Sequence, residues 1–240
     1  MVVVRGPGTN PDPDAPVARN GGTGRQRTRN LVAAASLVAG LLAALAAISP
    51  WWVLSTSSAG STTEVGYYPG TVVRVVTGGG GGITSYAATG APSVGALYAS
   101  VLVATLALAV LGAAVGVQGF ASLRGTWASL RARRLAGLAL LAAMLLGAAL
   151  VVGVPLAQPG LYRSDDPGGA CLTGAPPGAC SSFWGSSQSA GTTTTWGAGA
   201  GWWLSLSATV LLCLTLAFRD RAPARAEPSV LGDAHALGQR

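Results

Sequence analysis

Four apolar runs without a single Asp, Glu, Lys, Arg or His decide the solvent in which this chain folds. They cover residues 31–48, 94–117, 135–154 and 202–218. A bilayer core roughly 30 Å thick takes about 20 helical residues at 1.5 Å each. In lipid every backbone N–H and C=O must bond within its own segment, so the runs predict helices. Only 10% of residues are charged, whereas a soluble domain carries about a quarter. Runs this long and uniform do not read as core helices of a soluble protein.

The net charge of +7 alone would point towards an acidic partner such as nucleic acid. Its placement points to membrane orientation instead. The chain has no lysine, and thirteen of its fifteen basic residues fall in three stretches. Arg5, Arg19, Arg25, Arg27 and Arg29 precede the first run. Arg124, Arg131, Arg133 and Arg134 lie between the second and third. Arg219, Arg221, Arg225 and Arg240 follow the fourth. The other two connections carry only Arg74 and Arg163. The positive-inside rule then predicts cytoplasmic N- and C-termini in a multi-pass protein of the cell membrane. The expected spans are about 31–49, 94–117, 135–155 and 201–218, within a membrane domain of 29–221. The loops 50–92 and 156–200 are expected outside. Residues 1–28 and 222–240, rich in Pro, Gly and charge, read as disordered cytoplasmic tails. Ala44-Leu45-Ala46 offers a signal-peptidase pattern, but the apolar run is too long and too far from the N-terminus, which favours a retained span.

Arg29 lies 21 residues before Pro50, as Arg134 does before Pro155. Two similar hairpins in tandem would explain this, and so would two ordinary Ala/Leu helices. Helix packing has its own signals. Gly112 and Gly116 on the second run, and Ala139, Ala143 and Gly147 on the third, allow close approach where lipid removes the hydrophobic drive between helices. Packing inside the bundle is the expectation, with homodimerisation through Gly112 and Gly116 as the alternative. Between the second and third runs, Leu123, Trp127, Leu130 and Arg134 fall near one helical face, which predicts an amphipathic helix on the inner leaflet.

The loops hold the remaining structure. The β-branched stretch 71–77 predicts a strand. Residues 64–68 and 83–89 are its expected partners, with Pro69-Gly70 and the five glycines 78–82 as turns. Trp51, Trp52, Trp202 and Trp203 stand where helices leave the outer face and read as interfacial anchors. Trp184 and Trp196 read as packing in a small external core. Cys171 and Cys180 flank Pro176-Pro177-Gly178 in an oxidising compartment and predict a disulfide. Cys213, in the fourth run, reads as an inert apolar residue.

Motifs for chemistry are scarce. The single histidine, His235, is in a tail. Asp165 and Asp166 read as a solvated turn rather than a metal site. Gly78–Gly82 lacks the lysine of a phosphate loop. No ionisable residue lies in the spans, where proton relays and ion-coupled transporters place theirs. One cysteine pair is too few for an electron-relaying thiol oxidant. The expectation is no enzyme, no cofactor, no metal and no nucleic acid.

Four spans, a strand-bearing first loop and Pro50-Trp51-Trp52 just after the first helix resemble the claudin and peripheral-myelin-protein superfamily. The chain lacks that superfamily's Gly-Leu-Trp signature and carries its cysteine pair in the second loop. It also resembles uncharacterised four-span prokaryotic proteins. The combined expectation is an all-α membrane protein, a four-helix transmembrane bundle with a small extracytoplasmic β-rich cap. Its expected role is non-enzymatic assembly, through the external loops, with itself or a membrane partner. The alternative is a small transporter or channel subunit whose pore forms on oligomerisation.

Overall fold

The computed structural model describes residues 21–77, 79–123, 130–165 and 176–220. Its helices are α1 (Gly21–Ala47), α2 (Pro92–Leu123), α3 (Leu130–Asp165) and α4 (Ala200–Asp220). Among the described residues these four are long and apolar enough to cross a membrane. Between 22% and 39% of each apolar stretch is buried inside the protein. Leu31, Val103, Leu138 and Leu156 are among the large apolar side chains left outside. Exposing so much hydrocarbon to water costs about 25 cal/mol per Å², a cost that lipid removes. The build fits a multi-pass membrane protein.

Small residues set the helix spacing. α1 packs on α2 and α4, and α3 packs on the same two. A Cβ added at Gly112 would stand 2.9 Å from the Gly40 backbone nitrogen and 3.1 Å from the Ser36 carbonyl. One added at Gly116 would stand 3.1 Å from the Ala33 carbonyl. The α1–α2 contact is therefore backbone against backbone, which only glycine permits. Leu108, Leu140 and Leu212 fill the bundle centre and are fully buried.

The connections form a sheet, and here the all-α expectation is corrected. Strands β1 (Trp52–Ser58), β2 (Ser61–Tyr67), β3 (Val72–Val76), β4 (Gly81–Thr84), β5 (Gly185–Ser189) and β6 (Thr192–Ala198) form one antiparallel sheet. Its order is β4-β3-β2-β1-β6-β5. The fold is α+β. The reason is the Ser/Thr/Val density of both connections, which suits a pleated, half-exposed surface. Two-residue turns at Ala59-Gly60 and Ala190-Gly191 close the hairpins β1–β2 and β5–β6. Ala190 and Gly191 both have positive φ, the pattern of a type I′ turn, whereas in the first hairpin only Gly60 does. β3 falls where the sequence predicts it and pairs with β2 as expected, but the other expected partner, 83–89, is strand only at its first two residues: β4 begins inside the glycine run expected as a turn, and Ala87–Thr89 is a 3₁₀ turn. β1, β5 and β6 are additional, and the β1–β6 pairing fuses the two connections into one sheet.

Helix length positions this sheet. The membrane-compatible stretches of α2 and α3 have 30 and 32 residues, those of α1 and α4 only 22 and 19. At 1.5 Å per residue the long pair measures about 45–48 Å and the short pair about 28–33 Å. A core of about 30 Å uses up the short pair and leaves the long pair projecting by one side or both. The sheet starts where α1 ends and finishes where α4 begins, beside the ends of α2 and α3 that lie next to it in the chain. It occupies the step between the short helices and the long ones.

Candidate functional site: the junction of sheet and helices

Pro50-Trp51-Trp52 forms the joint between α1 and the sheet. The Trp51 indole N–H donates to the Ala46 carbonyl at 2.9 Å, satisfying an acceptor at the α1 C-terminus. The Trp51 backbone N–H donates to the Tyr67 carbonyl at the end of β2. Gly199 and Gly201 donate to the carbonyls of Trp51 and Pro50, which ties the start of α4 to the same joint. A Cβ on Gly201 would stand 2.6 Å from the Trp51 ring. Trp52 reaches across to the second connection, its indole N–H 2.8 Å from the Phe183 carbonyl. Trp196 donates to the Ser182 carbonyl in the same region.

The projecting part of α3 holds the other side. Pro155 and Pro159 lie inside this helix without breaking it. Proline carries no N–H, so the Val151 carbonyl has no partner at Pro155. The Trp202 indole fills the vacancy at 3.0 Å. Beyond the prolines, Gln158, Tyr162 and Asp165 share one helical face. Gln158 accepts from the Tyr98 hydroxyl at 2.8 Å, with both side chains fully buried. Both Asp165 carboxylate oxygens accept from the N–H groups of Ser93 and Val94. A carboxylate from α3 thus caps the N-terminus of α2, where the helix dipole favours negative charge.

Aromatic rings fill the space between. Trp52 meets Tyr67 edge-on at 4.9 Å, Tyr67 meets Tyr162 edge-on at 6.3 Å, and Tyr86 stacks on Tyr98 at 5.6 Å. The Tyr86 hydroxyl donates to the Tyr68 carbonyl at 2.6 Å. Burial pushes the Tyr67 phenol up to about 12, and the neighbouring Tyr162 hydroxyl partly offsets this. Burial also raises Tyr86, with the Tyr67 charge adding to it. Tyr162 lies close to Tyr67, yet its oxygen makes no bond of good geometry.

The residues singled out in the sequence are placed as follows. Trp51 and Trp52 are fully buried, and their rings face protein. Trp202 is nearly buried, while Trp203 is 55% exposed. Gly112 and Gly116 face α1, Ala143 is fully buried in the bundle, Ala139 packs against that core, and Gly147 meets the Thr209 side chain of α4. Asp165 is the α2 cap. Cys180 is buried beside Phe183 and Trp196. Cys171, Trp127, Asp166 and His235, and the 124–129 segment of the expected amphipathic helix, lie outside the described residues. The residues the sequence reading missed are Tyr67, Tyr86, Tyr98, Gln158 and Tyr162. One signal was available for the last pair, since Gln158, Tyr162 and Asp165 keep a helical spacing past Pro155.

No family model and no curated protein matches this chain.

Among the described residues, no three His, Cys, Asp or Glu side chains come together. The geometry is that of a mechanical joint. It fixes one sheet against four helix ends, and among the described residues the two edge strands of that sheet are exposed. β4 is exposed along its whole length, and β5 exposes all but one residue.

Proposed function

We propose that this is a non-enzymatic cell-membrane protein that displays a rigid sheet outside the cell and assembles through it, with itself or with a membrane partner. The observation that carries this reading is the single sheet shared by both connections, with β4 and β5 open at its edges. An uncovered edge offers unpaired N–H and C=O groups to another strand. Neither of these edges carries a lysine, a proline or a charge to deter pairing. In the sequence the three arginine stretches adjoin the helix ends that do not lead into the sheet, and the positive-inside rule then puts both termini in the cytoplasm. Of the buried helix hydroxyls, Ser36, Thr105, Thr209 and Thr215 bond back to their own helices and so lend the transporter alternative no support, while Ser205 on α4 is buried without a hydrogen-bond partner.

The absence of lysine removes the usual crosslinking handle, so photoreactive residues at Ile83 and Ser187 are the appropriate test. Crosslinks from both edges to a second copy or a distinct partner in native membranes are expected, with none from Leu141 on the helices. Monomer alone from both edges contradicts the reading.

A Cys171–Cys180 disulfide belongs to this proposal. Closing so short a loop contributes roughly 2–3 kcal/mol in the chain-entropy model. Both thiols are expected to resist alkylation until reduced, as read by mass. Alkylation of either without reductant contradicts the bond.

A further inference from the structure

Helix α4 has the shortest apolar stretch, Ala200–Phe218, with 19 residues. That is about 28 Å at 1.5 Å per residue, slightly less than a hydrocarbon core of roughly 30 Å. Arg219 follows at once in the sequence and ends the charge-free stretch. The stretch has no residue to spare, so its first turn must lie at the opposite boundary of the core. Trp202 and Trp203 are in that first turn. The lipid-facing line of α4 runs up from Phe218 through Leu214 and Val210, each 48% exposed, to Trp203.

This line does not stop at the helix. The Trp203 ring lies edge-on to Trp202 at 4.7 Å, and Trp202 lies edge-on to Trp184 of the cap at 5.6 Å. Trp184 is 50% exposed. Its other side rests on Gly197, where a Cβ would stand only 2.7 Å from the ring. Glycine there leaves room for the indole against β6. We propose that Trp184 sits among the lipid headgroups of the leaflet on the sheet's side, so that the β5–β6 hairpin leans into the bilayer at α4. The occupant is lipid because the exposed Trp184 is joined, through the nearly buried Trp202, to Trp203 at the top of the lipid-facing line of α4. An indole suits that depth, with an apolar ring and a polar N–H.

The test uses the full chain in phosphatidylcholine vesicles, brominated near the headgroup end of the acyl chains. The fluorescence removed by Trp184→Phe is isolated by difference, and Trp184→Tyr serves if the first variant does not reconstitute. Brominated lipid is expected to quench most of that emission, and more strongly than aqueous iodide does. Equal or stronger quenching by iodide would put the ring in water. Quenching by neither would put it under protein, for instance a second copy. Either result overturns the proposal.

Discussion

Val151 has a carbonyl that its own helix cannot satisfy, and one tryptophan from another helix satisfies it. Leaving that acceptor bare in an apolar setting costs about 1–3 kcal/mol. Trp202→Phe keeps an aromatic side chain, smaller than the indole, and removes the donor, so a stability loss of at least about that size is expected in thermal unfolding, together with faster amide exchange around Pro155. No change would mean that Val151 finds another donor. Tyr67 makes a prediction for pH. Its folded phenol is raised to about 12 from an ordinary value of 10. Burial favours the neutral form, so this contribution is whole below pH 10 and is lost as pH rises from 10 through 12. Tyr86, raised in the same direction, adds to the fall. Alkaline titration of the folded protein should show cap unfolding in that window, and Tyr67→Phe should make the fall shallower. An unchanged titration in Tyr67→Phe would remove Tyr67 from the account.

Between elements, glycine decides how close α1 and α2 come. Gly112 faces the α1 backbone, whereas a Cβ at Gly153 meets nothing within 4 Å. Gly112→Leu is expected to cost about 1–3 kcal/mol through overpacking, while Gly153→Leu stays near wild type. Equal tolerance at both sites, measured by thermal denaturation in detergent, would contradict direct packing of α1 on α2. The helices were legible in the sequence because lipid tolerates so few charges that the spans stand out by absence. β3 was legible because Val-Val-Arg-Val-Val has no helical reason to be there. β1 was hidden because Trp51-Trp52 also suits a membrane boundary, and burial alone tells the two roles apart. β5 and β6 were hidden as polar Ser/Thr sequence, although Ser189-Ala190-Gly191 repeats the sequence of Ser58-Ala59-Gly60. The end of α3 was misplaced because Pro155 reads as a stop. The proline breaks a bond that Trp202 restores, and the tryptophan comes from 47 residues further along the chain.

On the scale of the whole molecule, two short helices and two long ones make a step, and the sheet fills it. The arrangement explains why the aromatic and polar contacts crowd one end of the bundle while small residues suffice for the rest. The candidate joint was only partly readable beforehand. The tryptophans announced themselves by position, but the tyrosines came from three separate segments that meet only when the sheet docks on α2 and α3. The central claim is that the sheet and the arginine-rich ends lie on opposite sides of the membrane. It is tested most directly by labelling intact cells with a membrane-impermeant maleimide, using Ser61→Cys in the β1–β2 hairpin and Ser229→Cys in the C-terminal tail, each against the parent chain. The account predicts labelling of Ser61→Cys in intact cells and of Ser229→Cys only after lysis. Labelling of Ser229→Cys in intact cells, or protection of Ser61→Cys, would contradict it.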